Sequence, residues 1–436
     1  MFLHYLDLAW RSIRKTPALS LLMVIAIAIG IGITTTTLNI YQMMAFNPTG
    51  ERSEQLHAVQ LWSQGTDTWD EFHMQVTYQD AMNLRKLSPQ FKQLVQMRSG
   101  MVIQSDNKDF EPELRAVRVT DGDFFSMFSV PFRYGSSWSK QVDESAAYQV
   151  VISENYNQKI FGGGDNVGKT IFLNRKPYQI VGIIDSWNPQ PRFYDPMNGA
   201  FSNAEEIFVP FSLLAIEKYQ VWGNTSGWKY EEVKTFEDKL LSEKVWLQFW
   251  IELNTVEERQ QYKQILTDYV AEQKALGRFT DNKSASESHK LNTVEEWLEH
   301  SEVVKEDNRI LVGLSFLFLS VCLVNILGLM LTKFLKRAPE VGVRRAIGAS
   351  RFQIFSQYMV EVGIIGLLGG ITGLVLASGL LYLLGERFAM DSSLISLSHS
   401  MWFIAPFIAI VTTLLAGVFP AWKVCHTKPS IYLKSQ

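Results

Sequence analysis

The chain has 436 residues, with 41 Lys and Arg against 44 Asp and Glu for a formal charge of −3. That near-neutral balance leaves no electrostatic footprint for nucleic acid, and the length suffices for two or three domains. The only two cysteines are Cys322, in an apolar stretch, and Cys425, near the C-terminus. The polar segment between them and the N-terminal region therefore has no disulfide and must rest on a packed core.

Residues 1–16 read as an amphipathic helix: Phe2, Tyr5, Leu6, Ala9 and Ile13 recur at helical spacing, and Arg11, Arg14 and Lys15 cluster at its end. Such a helix lies in the membrane interface before the chain turns into the bilayer. Residues 17–46 form the first span, apolar from residue 18 to 46. At 1.5 Å per residue it reaches roughly 40 Å, more than a hydrocarbon core of about 30 Å, so its far end, with Thr34 to Thr37 at or past the middle, projects beyond the membrane. A cleavable signal peptide would be shorter, end at small residues and not be followed by three further spans.

Residues 47–308 alternate strand-like and helix-like pieces, an α+β pattern. Strands are predicted over 56–62, 114–120, 148–153, 170–174, 178–184, 207–211 and 245–253, and helices over 78–87, 123–128, 154–161 and 256–276. Residues 294–309 read as a helix running directly into the second span. The seven histidines are scattered, no H-E-x-x-H, C-x-x-C or G-x-S-x-G occurs, and no nucleophile–base pair stands out, so no catalytic, cofactor or metal residues are assigned. GGDNVGKT, from Gly163 to Thr170, satisfies the P-loop pattern. A P-loop needs a strand before it and a helix after it, and here the order is reversed, so the glycines are expected to turn the chain into a hairpin. Trp62, Trp69, Trp187, Trp222, Trp228, Trp246, Trp250 and Trp297 fit either core or a substrate-facing surface.

Three more spans follow at 309–332, 359–385 and 401–422, joined by a loop at 333–358 and a short one at 386–400, with a tail at 423–436. Arg11, Arg14 and Lys15, then Lys333, Lys336, Arg337, Arg344, Arg345 and Arg351, then Lys423, Lys428 and Lys434 all fall on one side. The other side offers only Arg387, beside Glu386 and Asp391, in its short loop. Positive charge marks the cytoplasmic face, which places both termini inside and 47–308 outside. In the third span Gly366/Gly370 and Gly369/Gly373 form small-xxx-small pairs, which favour close helix contact either within one subunit or between two. No charge pair inside the spans is read from the sequence. Glu361, at the edge of the third span, is expected to form a cap or salt bridge.

The loop at 333–358 carries its own helix signals. Pro339 suits a first turn, Glu340 complements the N-terminal end of the dipole, and Arg344 and Arg345 the C-terminal end. Gly348 stops the helix, and Ser350 with Gln353 caps the next. A structured basic helix between spans is a good docking surface for a soluble partner.

The stretch APEVGVRRAIGASR (338–351), continued by EVGIIGLLGGITG (361–373), resembles the signature of MacB/FtsX-type ABC permeases. FPAWK (419–423), KPSIYL (428–433) and LAWRSIR (8–14) with Pro17 are similar to the family's ends. VTDGDFF (119–125), VVIS (150–153) and FGGGDNVGKT (161–170) fit its outer domain. The resemblance implies an α-helical membrane protein with four transmembrane helices and a large α+β extracytoplasmic domain, split into a porter-like base and an inserted lobe. It implies a permease of the cell inner membrane that dimerises with a second copy or a different permease, binds a cytoplasmic ABC ATPase dimer, and leaves a periplasmic adaptor open. ATP and Mg would be used by that separate ATPase, since the chain shows no LSGGQ signature or Walker B strand, and this chain would bind no cofactor. Glu340, Val341, Gly342, Val343, Arg344, Arg345, Ala346, Ile347 and Gly348 would form the coupling helix, passing ATPase movements along the long helices to an outer domain that extrudes or presents a substrate. A signalling scaffold that activates an outer partner is the alternative. Arg133-Tyr134-Gly135 departs from the family's usual Gly-Arg, and 186–201 and 219–230 match no family feature.

Overall fold

The computed structural model describes residues 2–44, 46–65, 71–303, 306–388, 396–398 and 400–426. Trp69, Asp391, and Lys428 and Lys434 with the KPSIYL motif lie outside the described residues. The chain divides into a helical unit, Met1–Ala45 with Val304–Gln436, and an α+β domain, Phe46–Val303.

In the helical unit the amphipathic helix Phe2–Lys15 gives way at Thr16 to the first long helix, Pro17–Met44, begun by the proline suited to a first turn. The helices Glu306–Lys336, Ala338–Ala346, Arg351–Phe388 and Met401–Cys425 follow. Four of these are long and apolar enough to cross a membrane. Their shared core includes Met23, Ile27 and Ile31 of the first, Ile326 and Met330 of the second, Val362 and Ile365 of the third, and Ala405 and Ala409 of the fourth. In the Thr34–Thr37 run hydroxyls return to the carbonyls of the preceding turn: Thr36 donates to the Gly32 carbonyl (2.8 Å) and Thr37 to that of Ile33 (3.0 Å). Thr34 donates across to the Ser315 carbonyl of the second long helix (3.2 Å). The third long helix starts at Arg351 and continues without a break into the apolar stretch, because no Gly or Pro intervenes before Gly363.

Among the described residues the α+β domain is built on one mixed sheet of ten strands: β1 (Leu56–Leu61), β2 (Lys92–Gln104), β3 (Glu113–Thr120), β4 (Phe132–Gly135), β5 (Gln149–Ser153), β6 (Thr170–Leu173), β7 (Lys176–Ile184), β8 (Ile207–Pro210), β9 (Gln248–Glu252) and β10 (His289–Thr293). The order is β10-β1-β9-β2-β3-β8-β5-β7-β4, with β6 pairing β2 and β7. The β3–β8 and β5–β7 pairs are parallel. Alternation along the strands feeds two cores. Val59, Leu61, Phe249, Ile251, Ile207 and Val209 join one face, packed by Tyr262, Leu266 and Tyr269 of the helix Val256–Ala275. Leu56, Ala58, Trp250 and Phe208 join the other, an aromatic cluster with Phe124, Phe125, Phe128, Trp138, Phe193, Tyr194 and Trp297.

Three strands escape the sequence reading: β2, β4 and β10. β2 carries Arg98, Ser99 and Gly100 in mid-strand, and Gly100 is there because the Trp222 ring lies where a side chain would go. β10 (HKLNT) is polar in composition and takes its pairing from β1. The helix expected over 294–309 is broken: Val294–His300 ends at Ser301, and Glu302 takes a left-handed conformation (φ 52°). Trp62, Trp138, Trp246, Trp250 and Trp297 are buried, whereas Trp222 is 40% exposed. The GGDNVGKT segment follows the helix Glu154–Phe161 and leads into β6, the reverse of a P-loop, with Gly163, Gly164 and Gly168 at positive φ and the Asn166 amide donating to the Gly163 carbonyl (3.0 Å).

Candidate functional site at the basic end of the helical unit

The short helix Ala338–Ala346 has Pro339 in its first turn, Glu340 near its start and Arg344 and Arg345 in its last turn. Gly348, at φ 111°, ends it in the left-handed conformation that glycine adopts without cost. The Ser350 backbone N–H then donates to Gln353 Oε1 (2.9 Å) and the Gln353 N–H to Ser350 Oγ (3.2 Å), which is the cap that starts the third long helix.

The nine residues from Glu340 to Gly348 divide by direction. Val341 and Gly342 are buried, Val341 within the helical core. The charged members are engaged by their own chain: Arg344 Nη2 pairs with Glu340 Oε1 (2.7 Å) while its Nη1 donates to Gln357 Oε1 (3.0 Å), and Arg345 Nη1 donates to the Cys425 carbonyl (3.3 Å). Val343, Ala346, Ile347 and Gly348 face outward, Val343 at 47% and Ile347 at 82% exposure, with Phe352 at 77% just beyond. Beside them lies a groove of about 400 Å³ lined by Tyr5, Leu8, Arg344, Ala349, Gln353 and Ile354, so the amphipathic helix forms one of its walls. The free face of the helix is thus apolar. The sequence signals pointed to its arginines, which are mostly occupied in holding the helix in place.

Charges also pair within this unit. Lys333 Nζ lies 2.6 Å from Glu361 Oε1 with both side chains fully buried. Glu361 is therefore a salt-bridge residue, as its position at the edge of the span suggested.

The four glycines of the two small-xxx-small pairs in the third long helix serve two different neighbours. A Cβ at Gly366 would meet Thr413 Oγ1 at 2.9 Å, and one at Gly370 would meet Ala409 Cβ at 2.9 Å, both on the fourth long helix. A Cβ at Gly369 would meet Ile27 Cγ2 at 2.5 Å, and one at Gly373 Ile31 Cγ2 at 3.0 Å, both on the first. The two small-xxx-small pairs thus pack helices of one chain against each other.

In the α+β domain the 186–201 segment is drawn into the aromatic core by charge. Arg118 of β3 pairs with Asp195 (2.7 Å) and Glu205 (2.5 Å), all fully buried, and Arg192 Nη1 lies 3.3 Å from Glu205. Burial pushes the Glu205 carboxyl up, but Arg118 and Arg192 outweigh it and hold it down at about 2. The 219–230 segment joins the same structure, since the Trp222 N–H donates to the Arg98 carbonyl (2.9 Å) and the Asn224 N–H to Asn198 Oδ1 (3.1 Å). Among the described residues no cluster of His, Cys, Asp and Glu could hold a metal ion.

Residues 20–269 match the family model for the MacB-like periplasmic core domain, and residues 312–429 match that for the FtsX-like permease C-terminal region. The chain is 23% identical over 371 residues to the pyoverdine export ATP-binding/permease protein PvdT of Pseudomonas syringae, covering 83% of this chain and 48% of that protein. It is 22% identical over 330 residues to the macrolide export ATP-binding/permease protein MacB of Vibrio parahaemolyticus, covering 75% and 43%. It thus spans about half the length of the curated relatives it matches. Among solved structures, the periplasmic region of MacB from Actinobacillus actinomycetemcomitans aligns at 12% identity with a TM-score of 0.35, over 58% of this chain and 94% of that one.

Proposed function

We propose, because the chain belongs to the MacB/FtsX-type ABC transporter permease family, that it is a permease subunit driven by a cytoplasmic ABC ATPase on a separate polypeptide. ATP and Mg would be bound by that ATPase. The chain sits in the inner membrane as a homo- or heterodimer, with its basic end and both termini cytoplasmic and its α+β domain in the periplasm. Movement of the ATPases enters through residues 340–348 and is passed along the long helices to the α+β domain, which extrudes or presents a substrate.

The observation that carries this reading is the outward apolar face of Val343 and Ile347 on a helix whose own charged groups brace it against the third and fourth long helices. Apolar anchors in the centre of a docking surface dominate binding energy, whereas rim charges contribute little. The test is co-purification of the tagged chain with its ATPase from native membranes in mild detergent. Val343→Asp combined with Ile347→Asp should lower ATPase recovery at least tenfold while membrane insertion and the thermal midpoint stay unchanged. Recovery at the wild-type level would overturn the docking role of this helix.

A further inference from the structure

We infer that Lys333 and Glu361 are positioning residues for coupling, a buried ionic link that locks the amphipathic helix and the second and third long helices into one unit with the short helix. This rests on the coupling reading above and assigns the residues through which it acts inside the chain.

Glu361 sits where four elements converge. Its Oε1 is 2.6 Å from Lys333 Nζ and accepts from Ser12 Oγ at 2.6 Å, and its Oε2 is 3.4 Å from Arg337 Nη1. Lys333 Nζ also donates to Ser20 Oγ of the first long helix (2.8 Å), and Arg337 donates to Ser12 Oγ. Ser12 thus uses its hydroxyl as donor to Glu361 and as acceptor from Arg337. From Arg337 the chain of charges runs outward, with Nε 3.6 Å from Glu340 Oε2, Glu340 paired with Arg344, and Arg344 bonded to Gln357. Gln357 lies one turn before Glu361 on the same helix, so the connections form a closed ring through the short helix. A displacement of Ala338–Ala346 therefore reaches the third long helix at both Gln357 and Glu361.

Stability alone does not account for such a pair. A buried ion pair is seldom better than apolar residues of similar size, whereas removing one partner is costly. The surroundings already supply apolar contacts, for the Phe334 and Tyr358 rings pack together at a tilt of 42° with centroids 4.3 Å apart. Apolar contacts let helices slide, whereas a hydrogen-bonded ion pair holds at one relative position only. Lys333, in the last turn of the second long helix, and Arg337, in the turn that leads into the short helix, both grip Glu361, so the link fixes the short helix's start as well as the second long helix against the third.

The test uses the co-purified complex of full-length chain and ATPase in lipid nanodiscs. The readouts are the thermal midpoint, ATPase recovery, ATP hydrolysis and the change in hydrogen exchange of the α+β domain on trapping with ADP-vanadate. Lys333→Met combined with Glu361→Met keeps the volume and removes the ions. It should leave the midpoint and ATPase recovery near wild type but reduce the vanadate-dependent exchange change at least fivefold. Lys333→Glu combined with Glu361→Lys restores an ion pair and should recover at least half of that change. A wild-type response in the methionine pair overturns the proposal. Should the methionine pair fail to insert, Ser12→Ala and Arg337→Gln decide, since they cut ties of the pair but leave the pair itself: wild-type responses in both overturn it. A wild-type complex with no ATPase, or with no vanadate response, removes the coupling reading itself and is seen before any variant is made.

Discussion

Charge is buried in both units, but it holds different things. In the α+β domain Arg118, Asp195, Glu205 and Arg192 fix an irregular segment to a sheet, helped by Gln248 donating to Asp195 Oδ1 (2.8 Å) and Gln96 donating to the Tyr194 carbonyl (2.9 Å). In the helical unit Lys333, Glu361 and Arg337 join helices whose backbones already satisfy their own hydrogen bonds. A loop without a ladder must find side-chain partners for its buried polar groups, and the carbonyls of Asp195 and Asn198 accept from Arg192 at 3.4 and 2.6 Å. In the first case charge substitutes for secondary structure. In the second it sets the relation between elements that would form without it.

The sharpest way to break this contrast is Arg118→Met. It leaves Asp195 and Glu205 buried with Arg192 as the remaining cation at Glu205, and losing one partner of a buried network costs about 3–5 kcal/mol. The thermal midpoint of the α+β domain, followed by tryptophan fluorescence, should fall by roughly 10 °C. The Lys333–Glu361 methionine pair should shift its own unit by far less. Similar losses in both would mean that the two networks do the same work.

Packing in the helical unit gives a middle-sized test. Gly369→Val would press on Ile27, and Gly370→Val on Ala409 and on the Pro406 backbone, where a Cβ would meet Cα at 3.0 Å. Overpacking of this kind costs about 1–3 kcal/mol. Gly379, with open space around it, should accept Val with a change within about 0.5 kcal/mol. Each variant is read by thermal unfolding in detergent. Equal effects at Gly369 and Gly379 would deny that the third long helix is held through its glycines.

The helical unit is much the more legible of the two in sequence. Long uninterrupted apolar runs fix its four span helices, and Pro339, Gly348 and the Ser350–Gln353 cap punctuate the segment between the second and third. Hidden from sequence were the partners. Glu361 and Lys333 are separated by a helix and a turn, and only folding shows that they meet. The same holds for the direction of Arg344, which a charge count offers to a partner but which the fold gives to Glu340 and Gln357. In the α+β domain the strands with alternating apolar residues were readable. β2 was not, because Gly100 makes room for Trp222, a residue far along the chain. The 186–201 segment looked anomalous for a related reason, since Arg192 and Asp195 have their partners on β3, on β9 and at Glu205.

Acid gives the smallest effect and distinguishes parts of the α+β domain from one another. His57 on β1 and His289 on β10 lie on the edge pair of the sheet. Burial lowers both to about 4, helped by the nearby charges of Arg259 on His57 and Lys263 on His289. Their folded pKa values lie below the unfolded value of about 6.5, so the unfolded chain takes the proton first. Their stabilising effect is complete above pH 6.5 and is lost as pH falls toward 4. Glu205, held at about 2, keeps its full contribution above its ordinary value of 4.5 and loses it only below that. At pH 5 the edge pair should therefore be weaker by roughly 1 kcal/mol per histidine, allowing for solvent screening, while the Arg118 network is intact. Hydrogen exchange at pH 7 and pH 5, corrected for intrinsic rates, should show loss of protection in β1 and β10 but not in the 190–205 segment. His57→Gln with His289→Gln should flatten that pH dependence. Equal loss of protection in both segments would mean that acid acts through the charged network and not through the edge histidines.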